Sequence, residues 1–154
     1  MNRAYYNSPI GLLLIEEEDN CLLGVNLVEE QEYKENPSSY TSIVIEQLKE
    51  YFLGKRKEFT LKLKMGGTPY MKRVWEELIK IPYGETISYQ EMARRVGNIK
   101  GSRSAGMACG KNNILIIIPC HRVIGKNGKL TGFGAGLPNK EFLLTHEVKY
   151  NLNS

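Results

Sequence analysis

The chain is poor in the residues that staple, ligate or span. Its 154 residues include three cysteines and two histidines. Cys21, Cys109 and Cys120 stand in no paired spacing, which argues against a disulfide framework and for a reducing compartment. Scattered thiols and two imidazoles make no zinc constellation, so no metal is expected. No glycine-rich phosphate loop occurs. No apolar run approaches the roughly 20 residues needed to cross a bilayer. Residues 1 to 20 lack a basic start followed by an apolar core. No secretory leader is therefore expected, and the setting read from the sequence is cytoplasmic.

What is present is a hydrophobic content of 42%, enough for a packed core. The length suits one large domain or two small ones. The net charge of +4 hides a split. Residues 1–64 hold 8 Lys/Arg against 11 Asp/Glu, and residues 65–154 hold 13 against 6. The second half is suited to a polyanion; a merely solvated basic surface is the alternative. Met65-Gly66-Gly67 is the best linker, which divides the chain into 1–64 and 65–154.

In the first half, Ile10 to Glu16 and Cys21 to Val28 read as a β-hairpin. Thr41 or Ser42 can cap a helix running to Leu53, with Gly54 at C′ and a stripe of Ile45, Leu48 and Phe52. Phe59, Leu61 and Leu63 alternate as a further strand. In the second half, Thr68 and Pro69 start a helix with Val74, Trp75, Leu78 and Ile81 buried. Ser88 and Glu91 form a capping box, and Gly97 ends that helix. A short helix follows from about Ser102 to Gly110. The pair reads as a helix-turn-helix in the basic half. The second helix is built of small residues around Arg103. Such a helix could enter a narrow minor groove, where Arg is favoured, or could pack closely against another helix. The last helix starts at Pro138, with Phe142, Leu143 and His146 as its buried stripe.

The stretch from Ile114 to Val123 is the centre of the chain. Five apolar residues, Ile114 to Ile118, predict a strand buried on both faces, ended by Pro119. It delivers Cys120, His121 and Arg122 to a turn. A thiol reacts as thiolate, and an adjacent imidazole or guanidinium favours that form. Adjacent side chains diverge, so a water between Cys120 and His121 is the natural relay. On these residues a cysteine hydrolase and a DNA-binding module without chemistry both remain open.

The segment Ile118-Pro119-Cys120-His121-Arg122-Val123 resembles the active-site signature of the O6-alkylguanine-DNA alkyltransferases. Gly67-Thr68-Pro69-Tyr70, Val74-Trp75, Ile81-Pro82-Tyr83-Gly84-Glu85-Thr86, Ser88-Tyr89-Gln90, Lys140-Glu141-Phe142-Leu143-Leu144 and His146-Glu147 fit the same family. The resemblance implies a ribonuclease-H-like α/β N-terminal domain and a mostly helical, winged-helix-like C-terminal domain. It implies double-stranded DNA bearing O6-alkylguanine as partner, a flipped base, and a single irreversible transfer to Cys120 by a monomer without cofactor. O4-alkylthymine is left open as a second substrate.

The residue roles follow from the same resemblance. His121 and Glu147 would complete a Cys–water–His–Glu chain. Tyr89 would protonate the departing guanine near N3. Asn112 would brace the turn that holds Cys120. Arg103 would replace the extruded nucleotide, with Ser102 beside it at the DNA. The carbonyls of Cys120 and Val123 would accept the guanine amino group, and the backbone N–H of Gly134 would face the guanine oxygen. Family members usually carry prolines where this chain has Asn113 and Leu115.

Overall fold

The computed structural model describes residues 1–97 and 100–152. The chain forms two compact units. The first is Met1–Gly66 with Asn113–Leu115, and the second is Gly67–Asn112 with Ile116–Ser154.

The first unit is an antiparallel sheet in the order β1 (Asn2–Ser8), β2 (Gly11–Glu18), β3 (Cys21–Leu27), carrying helix α1 (Ser39–Phe52). The expected hairpin is β2–β3, turned by Asp19 and Asn20 at φ 53° and 59°. These two residue types tolerate the left-handed region best after glycine. Strand β1 was not expected. Its residues Asn2-Arg3-Ala4-Tyr5-Tyr6 carry little apolar signal, since only Ala4 and Ser8 of the strand are buried. Helix α1 begins earlier than its sequence suggests. Ser38 is the cap, and Thr41 answers from N3 in a reciprocal box. Its buried side is Thr41, Val44, Gln47, Leu48 and Tyr51, so Ile45 and Phe52 sit off the stripe expected for them. Phe59 to Leu63 forms no full strand. It touches the sheet by one parallel bridge, Leu63 to Leu22.

The second unit holds α2 (Pro69–Ile79), α3 (Tyr89–Arg95), α4 (Gly101–Gly110) and α5 (Leu137–Leu152), with a two-stranded parallel ladder of β4 (Ile87–Ser88) and β5 (Val123–Ile124). Thr68 caps α2 as expected, its side chain accepting from the Met71 N–H at 3.1 Å. Ser88 caps α3 through the Glu91 N–H at 3.0 Å. The reciprocal half of the expected box is replaced. The Glu91 carboxylate holds Arg94 and Arg95 at 2.6 and 2.9 Å instead. Helices α3 and α4 pack together. Part of the turn expected between them, residues 98 and 99, lies outside the described residues. Trp75 Nε1 donates to the Ala108 carbonyl at 2.9 Å and ties α4 to α2. On α5 the buried residues are Lys140, Leu143, His146 and Glu147. Phe142, expected among them, is exposed and stacks on His146.

The Ile-rich stretch is buried throughout, as expected, but it is not a strand. Val25 in β3 exchanges backbone bonds with Asn113 and Leu115, at 2.9 Å each, and pairing stops there. Ile116 then turns through φ 72°. A β-branched residue there costs roughly 1–2 kcal/mol, so the surrounding packing must hold it. A wholly apolar run reports burial and leaves the backbone path open.

Candidate active site

The chain leaves this turn through Pro119 into a single 3-10 turn, Cys120–Arg122, followed at once by β5. All three residues of the turn are buried. Asn112, just past the end of α4, donates from Nδ2 to the Ile118 carbonyl at 2.8 Å and to Cys120 Sγ at 3.2 Å. One amide therefore braces the turn and solvates the sulfur. The Cys120 N–H closes the same turn on the Ile118 carbonyl at 2.8 Å.

His121 is fully buried, and its Nε2 lies 2.6 Å from Glu147 Oε2. An ionised carboxylate at that distance accepts a hydrogen bond from Nε2–H, which leaves Nδ1 as the basic nitrogen. Nδ1 has no hydrogen-bond partner among the described residues. The Glu147 carboxylate also accepts from Arg122 Nε at 2.8 Å, Arg122 Nη2 at 3.1 Å and the Gly84 N–H at 3.2 Å. Gly84 sits at φ 81°, and a Cβ there would meet Asn151 at 2.7 Å, so glycine is required for that approach. Burial pushes the Glu147 carboxyl up, but His121 and Arg122 pull it further down, and it stays ionised. Burial drives His121 down, against the pull of Glu147, and keeps it neutral.

The sulfur departs from its expectation. Burial pushes the Cys120 thiol up, and the Asn112 donor and the Lys140 charge do not reverse this. The resting group is a thiol, and its proton must leave as the reaction proceeds. Arg122 is not the cation that acts on it. Its guanidinium is committed to Glu147 and, through Nη1, to the Ile81 carbonyl at 2.7 Å.

That cation is Lys140, which the sequence reading missed. It is 0% exposed, and its Nζ donates to the carbonyls of Val123 at 2.7 Å and Thr131 at 2.8 Å and to the Tyr89 hydroxyl at 3.3 Å. A lysine on the same face of α5 as Leu143 and Glu147, at i, i+3 and i+7, was the available signal. The Tyr89 hydroxyl itself donates to the Thr131 carbonyl at 3.2 Å, and burial raises its pKa, so it is held as a phenol.

Tyr89 also lines an open groove of about 460 Å³ with Ser102, Arg103, Gly106, Met107, Gly110, Thr131 and Gly132. The small-residue helix α4 packs closely on one face and leaves the other open. Ala105, Ala108 and Cys109 are buried, while Ser102, Arg103, Met107 and Gly110 are exposed. Gly106 lies against the Tyr89 ring, where a Cβ would come within 3.4 Å. The structure thus gathers Cys120, His121, Glu147 and Asn112 into one buried cluster, with Val123 and Tyr89 joined through Lys140. Arg103 and Ser102 stand on the groove. Gly134 is exposed, with open space about its Cα.

Two family models tile the chain. One, "6-O-methylguanine DNA methyltransferase, ribonuclease-like domain", matches residues 1–65. The other, "6-O-methylguanine DNA methyltransferase, DNA binding domain", matches residues 69–149. The chain belongs to the 6-O-methylguanine DNA methyltransferase family. A methylated-DNA–protein-cysteine methyltransferase of Methanosarcina acetivorans is 45% identical over 153 residues, covering 96% of this chain and 98% of that one. The constitutive Bacillus subtilis protein of the same name is 41% identical, covering 93% and 94%. The solved structure of Mycobacterium tuberculosis OGT in complex with DNA aligns with a TM-score of 0.90 at 39% identity, covering 97% of this chain and 94% of that one. Every residue of the buried cluster falls within the part matched by the methyltransferase DNA-binding domain.

Proposed function

We propose that this protein repairs DNA by moving an alkyl group from O6-alkylguanine to Cys120 Sγ, once per molecule. The observation that carries the reading is the pair of buried contacts Asn112–Cys120 and His121–Glu147 in the same unit as the α4 groove that Tyr89 lines, in a chain of this family.

The thiol proton passes through a water to His121 Nδ1, and Glu147 stabilises the imidazolium that forms. The sulfur attacks the alkyl carbon in line, and the carbon–O6 bond breaks with its electrons going to the guanine. Tyr89 returns a proton near N3, and the phenolate left behind faces the Lys140 ammonium. Val123 still has a lone pair on its carbonyl oxygen for the guanine amino group. The product is a thioether, which water does not cleave, so the protein is spent. The attacked carbon is reached only after the base leaves the stack, at a cost of a few kcal/mol. Arg103 on the exposed face of α4 fills the gap, with Ser102 beside it, and phosphate contacts from residues 65–154 hold the duplex. The Gly134 N–H serves the guanine oxygen when its loop meets the base.

Double-stranded DNA carrying the lesion is the partner, and the chain acts as a monomer without a cofactor. Cys21, Cys109 and Cys120 are free thiols, and among the described residues no helix is long and apolar enough to cross a membrane. Both fit action in the cytoplasm, at the nucleoid.

Incubation with an oligonucleotide labelled in the O6-alkyl group tests the reading. One label per protein, on Cys120, is expected; release of label into water indicates hydrolysis and overturns it. Tyr89→Phe should slow transfer about 100-fold, the scale of one general acid, with unfolding unchanged. Arg103→Ala should slow it about tenfold or more by removing the wedge that offsets unstacking. Wild-type single-turnover rates in either variant remove that role. Binding should weaken steeply with added salt and little with sequence.

A further inference from the structure

We propose that Arg122 is a positioning residue: it orients the Glu147 carboxylate and offsets its charge, so that His121 presents a free Nδ1 to the thiol. The inference deepens the alkyl-transfer reading and rests on it.

A carboxylate oxygen has two lone-pair directions. Oε1 takes the Gly84 N–H and Arg122 Nε, and Oε2 takes Arg122 Nη2 and His121 Nε2. The Arg122 fork grips both oxygens, so the carboxylate plane cannot rotate without breaking the His121 contact. Arg122 is itself held at its other end, by the Ile81 carbonyl at 2.7 Å and by the Tyr83 ring 5.6 Å away. The clamp therefore reaches from the end of α2 to α5 through one guanidinium.

Charge gives the second half of the argument. A carboxylate 2.6 Å from an imidazole in a dry site would hold it as imidazolium, which cannot take the thiol proton. Arg122 supplies the compensating positive charge on the same two oxygens. The groups facing His121 are Glu147 and Lys140 from α5 and Arg122 from its own turn. Tyr83 faces Glu147 and Arg122. Helix α2, also packed on this turn, buries only Val74, Trp75 and Leu78. Burial, Arg122 and Lys140 together outweigh Glu147 and keep His121 neutral. Arg122 combines that charge with a direct grip on Glu147.

The test is the pH profile of single-turnover transfer in the wild type, Arg122→Gln and Arg122→Lys. In Arg122→Gln the imidazolium should persist, so the rate at pH 7 falls about tenfold and is regained one to two pH units higher, a tenfold change per unit. Arg122→Lys, which keeps the charge and loses the fork, should show the wild-type pH profile at a lower plateau; a profile displaced as far as that of Arg122→Gln overturns the proposal. In Arg122→Gln, a loss of the same size at every pH shows a merely structural residue and overturns the proposal. Should Arg122→Gln fail to fold, nitrogen-15 spectra of the wild-type His121 ring decide. A neutral ring protonated on Nε2 from pH 6 to 8 is expected; an imidazolium or an Nδ1-protonated ring at pH 7 overturns the proposal. The ring spectrum needs no activity, so it separates this inference from the reading beneath it. A wild type that transfers nothing sinks the alkyl-transfer reading, whatever the ring shows.

Discussion

Cys120→Ala should bind alkylated DNA and leave the lesion untouched, with no alkyl adduct on the protein. The substitution removes one atom from a buried turn whose other bonds persist. The Asn112 amide still reaches the Ile118 carbonyl, and the Cys120 backbone bond to Ile118 survives in the variant. A stability cost of about 1 kcal/mol is the scale for such a change. The loss of transfer should be complete, because no other thiol can substitute. Cys109 is buried, and burial pushes its thiol up to about 12. Cys21 lies on β3 in the first unit. Mass spectrometry after incubation with an O6-methylguanine duplex checks this. The wild type, Cys21→Ala and Cys109→Ala should each gain one methyl, and Cys120→Ala none. Repair by Cys120→Ala would end the assignment of Cys120 as nucleophile.

Glu147→Ala carries the second large effect, and it falls on stability as well as rate. The substitution leaves the Arg122 guanidinium buried without its anion, and the His121 Nε2–H without an acceptor. Removing one partner of a buried pair costs about 3–5 kcal/mol. At this chain length each kcal/mol moves the melting temperature by about 2–4 °C, so a fall of about 10 °C is expected. Transfer should drop as well, since the imidazole loses its orienter. The pH dependence follows from the same carboxyl. Its pKa is lower folded than unfolded, so its contribution is present above the unfolded value of about 4.3 and is lost as pH falls. Thermal melts from pH 7 down to pH 3 should show the wild type losing stability more steeply than Glu147→Gln, which cannot ionise there. Parallel curves would mean that Glu147 is not held as an anion.

Much of this arrangement could be read before any coordinates. The caps at Thr68 and Ser88 and the burial of Val74, Trp75 and Leu78 follow from local rules, and the grouping of Cys120, His121 and Asn112 follows from the family resemblance. What escaped was non-local. Strand β1 carries a weak pattern and owes its place to pairing with β2. The path of Ile114 to Ile118 is set by a single hook on Val25 and a left-handed turn, and an apolar run announces neither. Arg122 looked like a partner for the neighbouring thiol because the two are adjacent in sequence. The 3-10 turn sends its guanidinium to a carboxylate 25 residues away. Lys140 was passed over for a related reason: a lysine is read as a surface residue until three acceptors are found around its ammonium.

The short return of Asn113–Leu115 to the first unit has a practical corollary. A protease that nicks the chain between Gly66 and Gly67 would cut the sole peptide link there, yet the two fragments would not part freely. The larger one keeps its grip on Val25 through the backbone of Asn113 and Leu115. The nicked protein should run as one species on a sizing column and as two bands in denaturant. By the same logic, a gene fragment starting at residue 67 would express a chain with Asn113–Leu115 left without their ladder partner.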